Sequence, residues 1–144
     1  MSVKQISVFL ENKPGALCEL TSVLAENNID MRAFSVAEAS DFGIARIIVD
    51  DVYKTTTVLR EKGFVHSVSP VLAVALSDTP GGLNEILKSL SAEKVNVEYM
   101  YAFTGATAGS AYVVLRVDDA GTAETALLDG GVSLLTDEEI SEIV

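Results

Sequence analysis

The sequence contains no tryptophan, one cysteine and one histidine among 144 residues, and these shortages close off several kinds of chemistry before any pattern is read. A single thiol, Cys18, excludes an intrachain disulfide and fits a reducing compartment. It falls on the apolar stripe of a helical stretch, which predicts a packed side chain rather than a reactive one. The lone histidine, His66, alternates outward on a strand-like run and reads as solvated, far in sequence from the cysteine. No Cys/His spacing suits a metal, and the run Asp137, Glu138, Glu139 reads as the acidic first turn of a helix. Serine and threonine are plentiful but come without a second catalytic partner. The expectation is a protein that is not an enzyme and that holds no metal and no cofactor.

Basic residues are also scarce: 10 against 21 acidic ones, for a formal charge of -11, which repels nucleic acid and anionic lipid. The deficit is uneven, with 7 basic and 9 acidic residues in 1–69 but 3 and 12 in 70–144. The acids of the second half are scattered, as on a solvated surface. No apolar run approaches the roughly 20 residues of a membrane helix, and the opening residues MSVKQISVFLENKPG lack a signal peptide's apolar stretch and cleavage site. A cytoplasmic protein with neither nucleic-acid nor membrane partners is expected. Hydrophobic residues make up 49% of the chain and the mean hydropathy is +0.34, ample for a packed core.

What the chain does have is a repeat. The stretch LENKPGALCEL at 10–20 returns as LSDTPGGLNEI at 76–86. An ungapped offset of 66 over residues 8–49 aligns Val8/Val74, Leu10/Leu76, Pro14/Pro80, Gly15/Gly81, Leu17/Leu83, Glu19/Glu85, Leu24/Leu90, Gly43/Gly109 and Ala45/Ala111. Two copies of one unit follow, 1–69 and 70–144, almost without a linker. In each, an alternating strand (Ile6, Val8 and Leu10 inward, Gln5, Ser7 and Phe9 outward) leads into a helix. Its stripe is Leu17, Leu20, Thr21 and Leu24, or Leu83, Ile86, Leu87 and Leu90.

A hairpin comes next, turning near Ser40 to Gly43 or Gly105 to Gly109, then a glycine-ended helix and a short strand, FVHSVSP or VSLL. The fold class is α+β: two ferredoxin-like βαββαβ domains, antiparallel sheets with helices on one face. Thr136 with Glu139 forms a capping-box pattern for a short C-terminal helix in the second domain. In VEYMYAF, Val97, Tyr99, Tyr101 and Phe103 share one parity while Met100 and Ala102 share the other, so a strand apolar on both sides is expected to be covered on both.

The Pro-Gly corner is the candidate site. Proline suits a helix's first turn, and the glycine after it signals either an unusual bend or a close approach of something to the backbone. The amides of Gly15, Ala16 and Leu17, and of Gly81, Gly82 and Leu83, are candidates to hold a carboxylate; Asn12 and Asp78, two residues before Pro14 and Pro80, can accept from an ammonium group. The competing reading makes Asn12 and Asp78 plain helix caps and the Pro-Gly pair a plain turn, and the residues leave both open.

The strand, [N/D]-x-P-G-x-L, helix, then ENNIDM or EKVNVE leading into a hairpin, resembles the ACT domain over nearly the whole chain. The resemblance implies regulatory amino-acid binding where the Pro-Gly loop of one ACT domain faces the second strand of a neighbour. Carried over, the loops are Asn12 to Leu17 and Asp78 to Leu83, and the strand starts are Ile29, Asp30 and Met31, and Val95, Asn96 and Val97. It further implies a homo-oligomer, a dimer, and a partner enzyme. Asp78 for Asn12 and the extra Gly82 make the two loops unlike. The alternative expectation is an interaction module that acts on a partner enzyme and binds no small ligand.

Overall fold

A computed structural model describes residues 2–105 and 108–143. Its elements run β1 (Val3–Glu11), α1 (Ala16–Glu26), β2 (Met31–Ala39), β3 (Phe42–Val49), α2 (Val52–Glu61), β4 (Val65–Ser77), α3 (Gly82–Ala92), β5 (Val97–Phe103), β6 (Ser110–Val117), α4 (Ala120–Asp129), β7 (Ser133–Leu134) and α5 (Asp137–Ile143). They form two compact units, Lys4–Ser69 and Met1–Val3 with Pro70–Val144, and β4 contributes residues to both.

In the first unit β3 lies between β1 and β2, antiparallel to each. Leu20, Val23 and Leu24 of α1 and Val58 and Leu59 of α2 pack on the sheet face carrying Ile6, Val8, Ala45 and Ile47. In the second unit β6 lies between β4 and β5, β7 adds to β4, and Ile86 and Leu90 of α3 with Ala123 and Leu127 of α4 cover Leu72, Val74, Val113 and Leu115. The α+β architecture of two ferredoxin-like units is therefore present.

All four long helices end alike. Ile29 N–H donates to Leu24 O, Phe64 to Leu59, Val95 to Leu90 and Val132 to Leu127, each through a left-handed residue one place earlier: Asn28, Gly63, Lys94 and Gly131. This closure satisfies the last carbonyls and turns the chain back to the sheet. Glycine adopts that conformation at no steric cost; Asn28 and Lys94 hold it with side chains, at φ 54° and 59°. The capping box of α5 forms in both directions, Thr136 N–H to Glu139 Oε2 at 3.1 Å and Glu139 N–H to Thr136 Oγ1 at 3.2 Å.

Several expectations need correction. The repeat is not ungapped: Val8 faces Ala45, but its counterpart Val74 faces Val113, so the third strands match at an offset of 68. The second hairpin is longer, Phe103 pairing with Tyr112 where Ala37 pairs with Ile44, and the Gly43/Gly109 and Ala45/Ala111 matches are not structural equivalents. The turn predicted at Gly105 to Gly109 includes residues 106 and 107, which lie outside the described residues. A register shift between Val97 and Tyr99 also breaks the parity of β5, so Val97 joins Met100 against the helices while Tyr99, Tyr101 and Phe103 point the other way.

Cys18 is exposed, not packed. The buried face of α1 is Ala16, Leu20, Val23 and Leu24, and Leu17 and Leu83 are exposed. Gln5 and Ser7 are buried, so β1 is enclosed at both parities, and His66 is half-buried with Nδ1 2.9 Å from Phe64 O. The predicted VSLL strand shortens to the two residues of β7.

Candidate ligand-binding corners

Lys13-Pro14-Gly15-Ala16 is a β-turn closed by Ala16 N–H to Lys13 O at 3.3 Å, and Thr79-Pro80-Gly81-Gly82 repeats it with Gly82 N–H to Thr79 O at 3.0 Å. Gly15 (φ 87°, ψ -17°) and Gly81 (φ 88°, ψ -6°) occupy the third position of a type II turn, where a positive φ selects glycine and the residue before it suits proline. This revises the placement of the prolines. Pro14 and Pro80 stand one residue ahead of the N-cap, and the glycines are the N-caps, answering to a bend. A Cβ on Gly15 or Gly81 would meet no other protein atom within 4 Å, so protein packing is not what selects them. Gly82 is the opposite case: its Cβ would collide with the Ser77 carbonyl oxygen.

The turn also changes which amides are open. Ala16 and Gly82 donate within the turn, and Glu19 and Glu85 donate back to the carbonyls of Gly15 and Gly81. No acceptor is recorded for the amides of Leu17 and Cys18, or of Leu83 and Asn84, among the described residues. Neither α1 nor α3 has a side-chain cap. The other helices do: Asp51 accepts from Lys54 N–H, Asp119 accepts from Thr122 N–H, and Thr136 caps α5. Two hydrogen bonds from Thr122, first from its hydroxyl and then from its amide, hold the Asp119 carboxyl below its ordinary pKa.

Asn12 and Asp78 therefore do not cap the helices. Asn12 N–H donates to Asp41 O and its Nδ2 reaches Ser40 O at 3.5 Å, while Asp78 N–H donates to Gly109 O. Each corner is thus fastened to the hairpin turn of its own unit. A recess borders each: about 180 Å³ beside Phe9, Lys13, Glu19 and Phe64 at the first, and about 350 Å³ beside Ser77, Thr79, Gly82 and Glu85 at the second.

A family model described as an ACT domain pair matches residues 1–144. The chain belongs to the ACT domain pair family. A protein from Bacteroides thetaiotaomicron of known crystal structure, BT0572, is 39% identical with a TM-score of 0.92, over 99% of this chain and 98% of that one. The ligand-free regulatory subunit of aspartate kinase from Thermus thermophilus is 17% identical at TM-score 0.64, over 88% and 91%. The corresponding subunit from Thermus flavus is 18% identical at 0.57, over 89% and 92%. These two share the fold. No curated protein matches the chain. The family match indicates a regulatory module and no catalytic family.

Within each ACT unit the loop and strand start are not brought together. β2 begins opposite Val49 and ends opposite Phe42, whereas the corner adjoins the Phe42 end, so the length of β3, roughly 23 Å, separates them. Ile29 and Val95 are buried in the two cores. Asp30 and Asn96 give their amides to the Asp50 and Asp118 carboxylates at 3.1 and 2.9 Å. Met31 and Val97 are half-buried against those same cores. Pattern reading missed these Asp50 and Asp118 clamps. The Asp-Asp pairs at 50–51 and 118–119, one carboxylate bracing the strand start and the next capping a helix, were the available signal.

Proposed function

We propose that this ACT pair is a non-catalytic regulatory protein that binds an amino acid at its Pro-Gly corners. The observation that carries the reading is selective: α1 and α3, the two helices that begin at the corners, lack side-chain caps, while the others have them. Uncapped amides at a helix start suit a carboxylate, and the outward Asn12 and Asp78 suit the ammonium group. The ligand lies between a loop, Asn12 to Leu17 or Asp78 to Leu83, and the strand start, Ile29 to Met31 or Val95 to Val97, of another ACT domain. The separation within each unit supports that arrangement. The domains are residues 1–69 and 70–144, the working form is a cytoplasmic dimer, and the listener is an enzyme of amino-acid metabolism, as the Thermus aspartate-kinase subunits suggest.

The test is a thermal-shift screen of the full chain against the twenty amino acids. A ligand at a hundred times its Kd stabilises the folded state by about 2.7 kcal/mol, roughly 8 °C for a chain this size. Gly15 and Gly81 are unsuitable for probing the site because side chains strain the turn, so the follow-up uses Asn12→Ala and Asp78→Ala, expected to weaken binding of the hit at least tenfold. A flat response to the whole panel rejects the reading.

A further inference from the structure

A surface that is bare in the first unit has an equivalent in the second that is covered within that unit. On the sheet face away from α1 and α2, the register sets Phe9 beside Ile44 and Ile44 beside Ala37, with Glu11, Phe42 and Ala39 in the next row. Phe9 is 41% and Phe42 45% exposed. The row of the second unit that corresponds to Phe9, Ile44 and Ala37 is Ala75, Tyr112 and Phe103. There Tyr112 and Phe103 are buried, their rings 5.4 Å apart. Ile143 of α5 meets Tyr112 over Gly105, where a Cβ would strike both side chains. The fold itself thus displays one element set against this face: a two-turn helix that buries Ile140 and brings Ile143 to Tyr112.

We propose that this face of the first unit docks a short amphipathic helix of another protein, apolar on one side and basic along one flank. Two phenylalanines, an isoleucine and two alanines present an apolar patch of a few hundred Å² at most, short of the roughly 800 Å² each partner gives to a standard interface. That size fits a two-turn helix and falls short of an interface with a second copy. The rim on the Phe42 side selects the sign of the flank that meets it, while Arg46, between Ser7 and Ser35, stands in the row on the other side of Phe9 and Ile44. Glu11 pairs with Phe42 in the register and its side chain is 74% exposed, Asp41 precedes Phe42 in the turn, and Lys13 is already in an ion pair with Glu11 at 3.1 Å. A basic flank meets these carboxylates, and the net charge of the chain steers such a helix inward.

The experiment titrates the full chain into a fluorescein-labelled 14-residue peptide with leucines on one helical face and lysines along one flank, read by anisotropy. A shuffled peptide of the same composition, its leucines spread around the helix, is the control. The patterned peptide should bind at least tenfold tighter than the shuffled one. Phe9→Ser and Phe42→Ser should each lose at least tenfold, while Leu128→Ser, at an exposed residue of the second unit, should lose nothing. Melting curves confirm that the variants fold, as expected for side chains more than four-tenths exposed. No binding, equal binding of the two peptides, or unchanged binding in both phenylalanine variants overturns the proposal. So does a concentration-dependent dimer in sedimentation that Phe42→Ser abolishes, which assigns the patch to a second copy.

Discussion

Gly81 and Gly82 are adjacent glycines required for different physical reasons, and alanine substitutions separate them. At Gly81 the demand is conformational. With φ 88° and open space around the missing Cβ, Gly81→Ala meets no neighbour but must hold an L side chain in the left-handed region. That strain is about 1–2 kcal/mol, and the lower backbone entropy of unfolded alanine returns about 0.4–1 kcal/mol, leaving a net loss near 1 kcal/mol. For a chain of this length the melting temperature falls by about 3 °C. At Gly82 the backbone is unstrained and the obstacle is the Ser77 carbonyl, which belongs to the β4 backbone and cannot swing away like a flexible side chain. Gly82→Ala must displace the corner, at about 1–3 kcal/mol by analogy with overpacked cores. Urea unfolding of both variants reads the difference, with Gly82→Ala the more damaging. The reasoning fails if Gly81→Ala is neutral or if the order is reversed.

Two further outcomes follow from the helix ends. Lys94, at φ 59°, holds the C-terminal closure of α3 where α2 and α4 use glycine, so Lys94→Gly should stabilise the protein by about 0.5–1 kcal/mol in urea; a loss would show that the lysine has a role beyond the turn. The Asp119 carboxyl is held below its ordinary 3.8 mainly by the Thr122 hydroxyl, so this cap's contribution is complete above 3.8 and fades as pH falls through the lower folded value. Thr122→Val should move the Asp119 pKa upward in an NMR titration, and an unchanged titration would refute the assigned cause.

The architecture was legible because its signals are local. Alternation in β1, spacing in α1 and α3, glycines closing α2 and α4, and the Thr136/Glu139 box each depend on neighbours within a few residues, and each marked an element that formed, although Gln5 and Ser7 are buried and Leu17 and Leu83 are exposed against the pattern. Equivalence between the copies was less legible. Chance glycine and alanine matches at 43/109 and 45/111 preserved an offset that strand pairing rejects, since an insertion inside a hairpin leaves parity intact while shifting register. The corner was found by its residues but explained only by its dihedrals. Proline followed by glycine is equally consistent with a helix start and with a type II turn preceding one, and the closing Ala16 and Gly82 hydrogen bonds distinguish them.

Read alone, the sequence determined the order of elements, the two copies, the acidic charge and the place where each chain turns from strand to helix, because periodicity and turn chemistry are properties of short segments. Tertiary structure decided which amides remain open, that Asn12 and Asp78 face out instead of capping, that Cys18 is exposed, and that the Phe9 row is bare while the Tyr112 row is covered. Those outcomes depend on where distant segments come to rest, Ser40 beside Asn12 and Ile143 over Gly105, and no local pattern encodes such a meeting.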